Sequence, residues 1–197
     1  MKAIDVSAPD YAELLGLYLG DGCISKLPRT YRLRITLDSK YPRIIRRTAE
    51  LLEHCFPNNP INVVARQGCV DVSAYCSHLP CLLPQHGDGR KHERSIALEG
   101  WQQEILEQAP WPFIRACIWS DGCVFINRTD IHQPRPNEYL SFGFSNNSKD
   151  IVDLLVAACD RVGVITRANR DSRGRWSVRI NRRASVALML THVGRKA

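Results

Sequence analysis

One nine-residue pattern occurs twice, 100 positions apart, and it restricts the fold more than any other feature of the chain. Leu14-Leu15-Gly16-Leu17-Tyr18-Leu19-Gly20-Asp21-Gly22 returns as Ile114-Arg115-Ala116-Cys117-Ile118-Trp119-Ser120-Asp121-Gly122. Both are apolar runs of helical length that end in Asp-Gly. A pattern repeated at this distance marks a duplicated structural unit.

The correspondence continues downstream. Leu33, Ile35 and Leu37 alternate with Arg32, Arg34 and Thr36, as Leu140, Phe142 and Phe144 alternate with Tyr139, Ser141 and Gly143. Such alternation predicts half-buried strands. Helical patterns follow, from Pro42 to about Cys55 and from Lys149 to about Val162, with Gly163 suited to a helix end. Alternation returns at Val70, Val72 and Ala74 and at Trp176, Val178 and Ile180, and each unit closes with an apolar run and Gly-Arg-Lys. The chain therefore reads as α+β, with two pseudo-symmetric αββαββα units over residues 1–91 and 113–197. Residues 92–112 read as a linker, with a short amphipathic helix at Trp101, Ile105 and Leu106 and a stop at Pro110-Trp111-Pro112. The second unit has about seven extra residues near Ile131 to Asn137, where two prolines predict a loop.

Gly16 and Gly20 are four apart, as are Ala116 and Ser120, so each predicted helix carries small residues along one face. Such faces let two backbones approach closely. The runs are too short to span a membrane, so a tight helix pair inside a soluble protein is the better use. Packed in parallel, the helices would bring Asp21 and Asp121 out side by side, and the glycine after each permits a sharp exit into a strand. A lone Asp-Gly is usually a helix-ending turn. Two in matched units point instead to converging carboxylates, which repel unless a cation neutralises them. Oxygen ligation by carboxylates, backbone carbonyls and water suits Mg2+. Metals so held activate water and stabilise the leaving oxygen in phosphodiester hydrolysis.

A formal charge of +7 and a pI near 9.1 fit either a polyanionic partner or a merely soluble basic surface, and charge alone does not separate the two. Of the 27 basic residues, 21 are Arg, whose planar fork contacts phosphate and guanine in two places at once, which favours nucleic acid. No signal-peptide order or membrane-length apolar run is present, so the expected location is cytoplasmic, or the matrix of an organelle that encodes it. The eight cysteines are scattered, several among apolar neighbours (Cys55, Cys117, Cys159), which predicts reduced thiols. Cys76, His78, Cys81 and His86 lack a paired C-x2-C knuckle, which weighs against structural zinc.

With the doubled motif, the sequence resembles the LAGLIDADG family of homing endonucleases in its single-chain, two-repeat form. The resemblance covers nearly the whole chain, although neither motif copy is a perfect match. It implies motif helices packed at the interface of two repeats, whose antiparallel sheets form a DNA-binding saddle. It also implies that Asp21 and Asp121, each eighth in its motif, bind catalytic Mg2+, with Mn2+ or Ca2+ able to substitute in binding. The backbone carbonyls of Gly20 and Ser120 would face the ions. Family members place a water-ordering polar residue beyond the second strand and a Lys after the last helix. Ser39 and Asn146 match the first, Lys91 and Lys196 the second. The implied activity is cutting of both DNA strands at a long site, leaving short 3′ overhangs, by a monomer that needs no protein partner.

On such a saddle the polar half of each alternation should face the duplex. That face would carry Ser25, Arg29, Arg32, Arg34, Thr36, Ser73 and Tyr75 in the first unit. In the second it would carry Asn127, Tyr139, Ser141, Ser177, Arg179 and Asn181, with the loop residues Arg170, Arg173 and Arg175 on phosphates. Because the two sets differ, the site read should be asymmetric. Among relatives of the family are RNA maturases and DNA-binding regulators that do not cleave, for which loss of one acidic motif residue is the sign. Both are kept here. An intein would need an N-terminal Cys or Ser and a C-terminal His-Asn, and neither is present.

Overall fold

The computed structural model describes residues 6–129, 137–171 and 174–196. Helix α1 (Ala8–Asp21) is followed by strands β1 (Gly22–Lys26) and β2 (Tyr31–Asp38), helix α2 (Pro42–Cys55), strands β3 (Asn62–Arg66) and β4 (Cys69–Tyr75), and the single turn α3 (Leu79–Leu82). A 3-10 turn at Lys91–Glu93 and helix α4 (Gly100–Gln108) lead into the second unit. There the order recurs as α5 (Pro110–Asp121), β5 (Gly122–Thr129), β6 (Asn137–Asn146), α6 (Lys149–Arg161), β7 (Arg167–Arg170), β8 (Trp176–Ile180) and α7 (Arg183–His192). Each unit holds one antiparallel four-stranded sheet, in the orders β1-β2-β4-β3 and β5-β6-β8-β7. The repeated α+β order read from the sequence is the one observed.

Apolar spacing explains the helices. Ile44, Thr48, Leu51, Leu52 and Cys55 line the buried side of α2, and Ile151, Val152, Leu155, Ala158 and Cys159 that of α6. Both pack on the faces of the sheets that carry Leu33, Ile35, Leu37 and Val72, or Phe142, Phe144 and Val178. Ser7 and Ser148 cap α1 and α6, their side-chain oxygens accepting from the amides of Asp10 and Ile151. Helix α1 is buried from Tyr11 to Leu19, which makes the motif helices the centre of the molecule rather than an outer layer.

Three details differ from the sequence reading. Pro110-Trp111-Pro112 does not stop the chain but forms the first turn of α5, where a missing amide proton costs nothing. The apolar run closing the first unit yields only the four residues of α3, which holds Pro80 in its first turn and is followed by Pro84, against ten in α7. The loop expected near Ile131 to Asn137 lies outside the described residues, except that Asn137 already opens β6. All eight thiols are free, and among the described residues no three His, Cys, Asp or Glu side chains gather as a metal cluster, the Cys76–His86 segment included. No helix among them is long and apolar enough to cross a membrane.

Candidate active site and nucleic-acid interface

The small residues of the two motif helices meet as their spacing implies. A Cβ built on Gly16 would stand 2.6 Å from the Ala116 Cβ and 2.9 Å from the Phe113 carbonyl, and one on Gly20 would stand 2.1 Å from the Ser120 Oγ. The Ser120 hydroxyl is turned back on its own helix, donating to the carbonyls of Ala116 and Cys117 at 3.0 Å. Immediately beyond the acidic residues, a Cβ on Gly22 or Gly122 would fall within 2.6 Å of the backbone of Tyr18 or Ile118. Only glycine makes that exit from helix to strand.

This packing brings the two carboxylates together at one end of the helix pair. An Asp121 carboxylate oxygen lies 3.5 Å from the Gly20 Cβ position, across the interface. The side chains then open into two compartments, each built from both repeats. A cleft of about 540 Å3 is lined by Asp121 and Asn146 from the second repeat and by Gly20, Gly22, Cys23 and Lys91 from the first. A smaller chamber of about 160 Å3 pairs Asp21, Thr36 and Asp38 with Trp119, Ser120 and Lys196.

Lysine and carboxylate are held close without being joined. Lys91 Nζ donates to the carbonyls of Tyr18, Gly20 at 2.9 Å and Gly22 at 2.7 Å, while Lys196 Nζ donates to those of Ser120 at 2.7 Å and Gly122 at 3.3 Å. Burial, with the Asp121 charge beside it, pushes Asp21 up to about 6 against the pull of Lys196 and Lys91. Asp121 is also raised by burial, offset by the Asn146 amide, which donates to its Oδ2 at 2.7 Å. Burial likewise lowers Lys91 to about 8, and lowers Lys196, against the attraction of both carboxylates. Desolvated carboxylates with facing carbonyl oxygens suit a hard divalent cation, which would complete its coordination with water and phosphate.

Arg94 holds the segment that carries Lys91. Its guanidinium donates to the carbonyls of Gln85, Gly87, Asp88 and Gly89 at 2.7 to 3.1 Å. Nothing in the repeat pattern pointed to it, because it lies beyond the segment that recurs.

Ser39 is not brought to the carboxylates. Strand register places Ile35 and Phe144 opposite Gly22 and Gly122, so the residue matching Asn146 is Leu37, and Ser39 matches the helix cap Ser148. Ser39 is exposed in the turn after β2 and lines neither compartment.

Away from the helices, the first sheet presents rows of polar side chains. Ser25, Arg32 and Tyr75 form one row; Arg34, Ser73 and Asn62 the next; Thr36, Asp71 and Val64 a third. Arg29 is exposed in the turn between β1 and β2. On the second sheet Asn127 stands opposite Tyr139 and donates to its hydroxyl at 2.6 Å. Ser177 and Arg179 face the same way, with exposed Asn181 just past β8. Ser141 is not open, being 1% exposed and opposite Phe125, whose ring leans over Gly143. Ser73 is also largely covered. Arg170 is on strand β7 rather than a loop, and its guanidinium lies over the Trp176 ring on the other face of the sheet. Arg175 sits in the adjoining turn against Asp171, and Arg173 lies outside the described residues.

The edge strands add residues that sequence alternation did not single out. Asn62 and Arg66 on β3, and Arg167 and Asn169 on β7, face the same side as the central polar rows. Asp71 is 4% exposed; it accepts from Thr36 at 2.7 Å and from Arg66 Nε, so Arg66 is held in place before any ligand arrives.

No family model matches the chain, and no curated protein does. Solved structures do. Mesophilic variants of the homing endonuclease I-DmoI superpose with a TM-score of 0.64 at 18% identity, over 94% of this chain and 96% of that one. The LAGLIDADG meganuclease I-AabMI, bound to uncleaved DNA, gives 0.59 at 12% identity, over 93% and 84%. The N-terminal LAGLIDADG domain of DUF199/WhiA gives 0.59 at 12% identity, over 100% and 86%. These likenesses span both repeats, and the chain has the fold of the two-repeat LAGLIDADG proteins.

Proposed function

We propose that this protein is a site-specific endonuclease that hydrolyses both strands of double-stranded DNA with divalent metal, Mg2+ in the first place, and acts as a monomer. The observation that carries the reading is the pair of half-buried carboxylates converging at the end of the motif helices, each facing a carbonyl and a lysine from the opposite repeat. Structural neighbours with the same fold fit it: I-DmoI has been crystallised with DNA and Ca, with DNA and Mn, and, as a variant, with its target DNA and Mg.

An ion held there supplies water activation and stabilisation of the leaving oxygen. Asp21 and Asp121 bind it as carboxylates, with Gly20 and Ser120 offering carbonyl oxygens. Asn146 keeps Asp121 oriented through its amide hydrogen bond. Lys91 and Lys196 place positive charge beside the scissile phosphates. On the saddle, Arg32, Arg34, Arg66, Arg167 and Arg179 hold phosphates or read guanine in the major groove, and Asn62, Asn127 and Asn169 suit adenine. The two faces differ in every row, so the site read is asymmetric, and the paired compartments cut both strands to leave short 3′ overhangs.

Asp21→Asn and Asp121→Asn are each expected to abolish cleavage of a plasmid carrying the host insertion site, while binding by gel shift stays within a few-fold. Wild-type protein should cut in Mg2+ and not in EDTA. Normal cutting by either variant, or in EDTA, contradicts the assignment.

A further inference from the structure

Each motif helix ends in carbonyls that have no partner within the helix, and a cation at a helix C-terminus is favoured by the dipole. Lys91 meets that need at Gly20 and places its other ammonium protons on Gly22, the first residue of β1, and on Tyr18, whose carbonyl already accepts from the Gly22 amide; Lys196 meets it at Ser120 and also reaches Gly122. Both ammonium groups also lie over aromatic rings, Lys91 Nζ 5.1 Å from the Tyr18 centroid and Lys196 Nζ 5.1 Å from that of Tyr41. Arg94 staples the loop that delivers Lys91. Yet among the described residues neither lysine forms an ion pair with Asp21 or Asp121. The ammonium groups therefore sit on the carbonyls and leave the carboxylates open.

We propose that Lys91 and Lys196 are tethered counter-ions that occupy the Gly20 and Ser120 carbonyls in the metal-free protein, and that a divalent ion displaces them. A divalent ion held by Asp121 with the Gly20 carbonyl, or by Asp21 with the Ser120 carbonyl, would put a second cation on an oxygen already holding an ammonium. Repulsion between the two drives the lysine off, and its flexible four-carbon stem lets the charge swing into the compartment. The lysines thus complete the motif helices when metal is absent, and are freed for phosphate when it arrives. This rests on the metal-centre reading of Asp21 and Asp121.

The full chain, without DNA, tests the exchange. The six lysines permit 15N labelling, and wild-type protein in EDTA should show two slowly exchanging NH3+ correlations, assigned by Lys91→Met and Lys196→Met. Ca2+ at concentrations that saturate a calorimetric titration should abolish both. Each Met variant should unfold at a lower temperature in EDTA and bind Ca2+ at least about fivefold more tightly, the range of ordinary coupling between two sites. Correlations that persist at saturating Ca2+ overturn the displacement, as does unchanged or weaker affinity in folded variants. Should a variant fail to fold, the wild-type spectra decide. Absence of any Ca2+ binding overturns instead the metal centre beneath the proposal.

Discussion

At the level of single residues, the acidic pair is defined by what surrounds it. Asp21 titrates near 6 in the folded protein against an ordinary 3.8, because burial and the Asp121 charge disfavour its ionised form. Between those values the folded chain keeps a proton that the unfolded chain has released. Its contribution to stability is thus complete below the unfolded value and lost as pH rises through about 6. In EDTA, wild type should therefore lose stability relative to Asp21→Asn as pH rises from about 4 to 7, followed by thermal unfolding. A difference that stays flat over that window would show that the carboxylate is well solvated. The acids were legible because their motif occurs twice. Asn146 was singled out through the family resemblance, and it stands at the end of β6 with its amide on Asp121. Ser39 was misplaced because a one-dimensional match could not see that register sets Leu37 where Asn146 stands in the other repeat.

Among the elements, the helix pair is the joint on which the rest depends. Gly16 meets Ala116 with no space for a methyl group, and the nearest backbone atom is the Phe113 carbonyl, which cannot rotate away. Gly16→Val is expected to destabilise by about 1–3 kcal/mol or more through overpacking, measured by urea unfolding, with a matching loss of metal binding as the carboxylates are pushed apart. Stability equal to wild type would mean that the helices do not pack along this stripe. The joint is also pinned from the side: Glu13, fully buried on α1, accepts from Arg47 of α2 at 2.6 Å and from Arg115 of α5 at 2.9 Å. The equivalent position on α5 is Phe113, so each repeat fills that place by different chemistry. Helices and inner strands could be read because burial writes a period into them. Edge strands β3 and β7 could not, since all their residues are exposed and no buried face imposes alternation on Asn62–Arg66 or Arg167–Arg170. Helix α4 was legible as amphipathic, but not its attachment, where Gln102 joins Tyr11 and Gln85 in a buried hydrogen-bond network.

Over the whole molecule, the open faces of the two sheets carry Arg32, Arg34, Arg66, Arg167 and Arg179. Binding through those faces should be strongly salt-dependent: with about six phosphates neutralised, affinity for target DNA is expected to fall roughly 1,000-fold between 50 and 200 mM salt. Fluorescence anisotropy across that range measures the slope, and a nearly flat line would place binding elsewhere. The overall plan was readable from the duplication alone, but the way the halves share their chemistry was not, since sequence spacing does not say which repeat a carbonyl will face. Asp121 opens toward the Gly20 carbonyl and Lys91, Asp21 toward the Ser120 carbonyl and Lys196. Neither half owns a finished centre. A sliding of one motif helix along the other would spoil both at once, so under the proposed function the two strands of a duplex answer to a single mechanical alignment. On that reading, a half-assembled or half-unfolded chain has no competent centre with which to leave a stray nick.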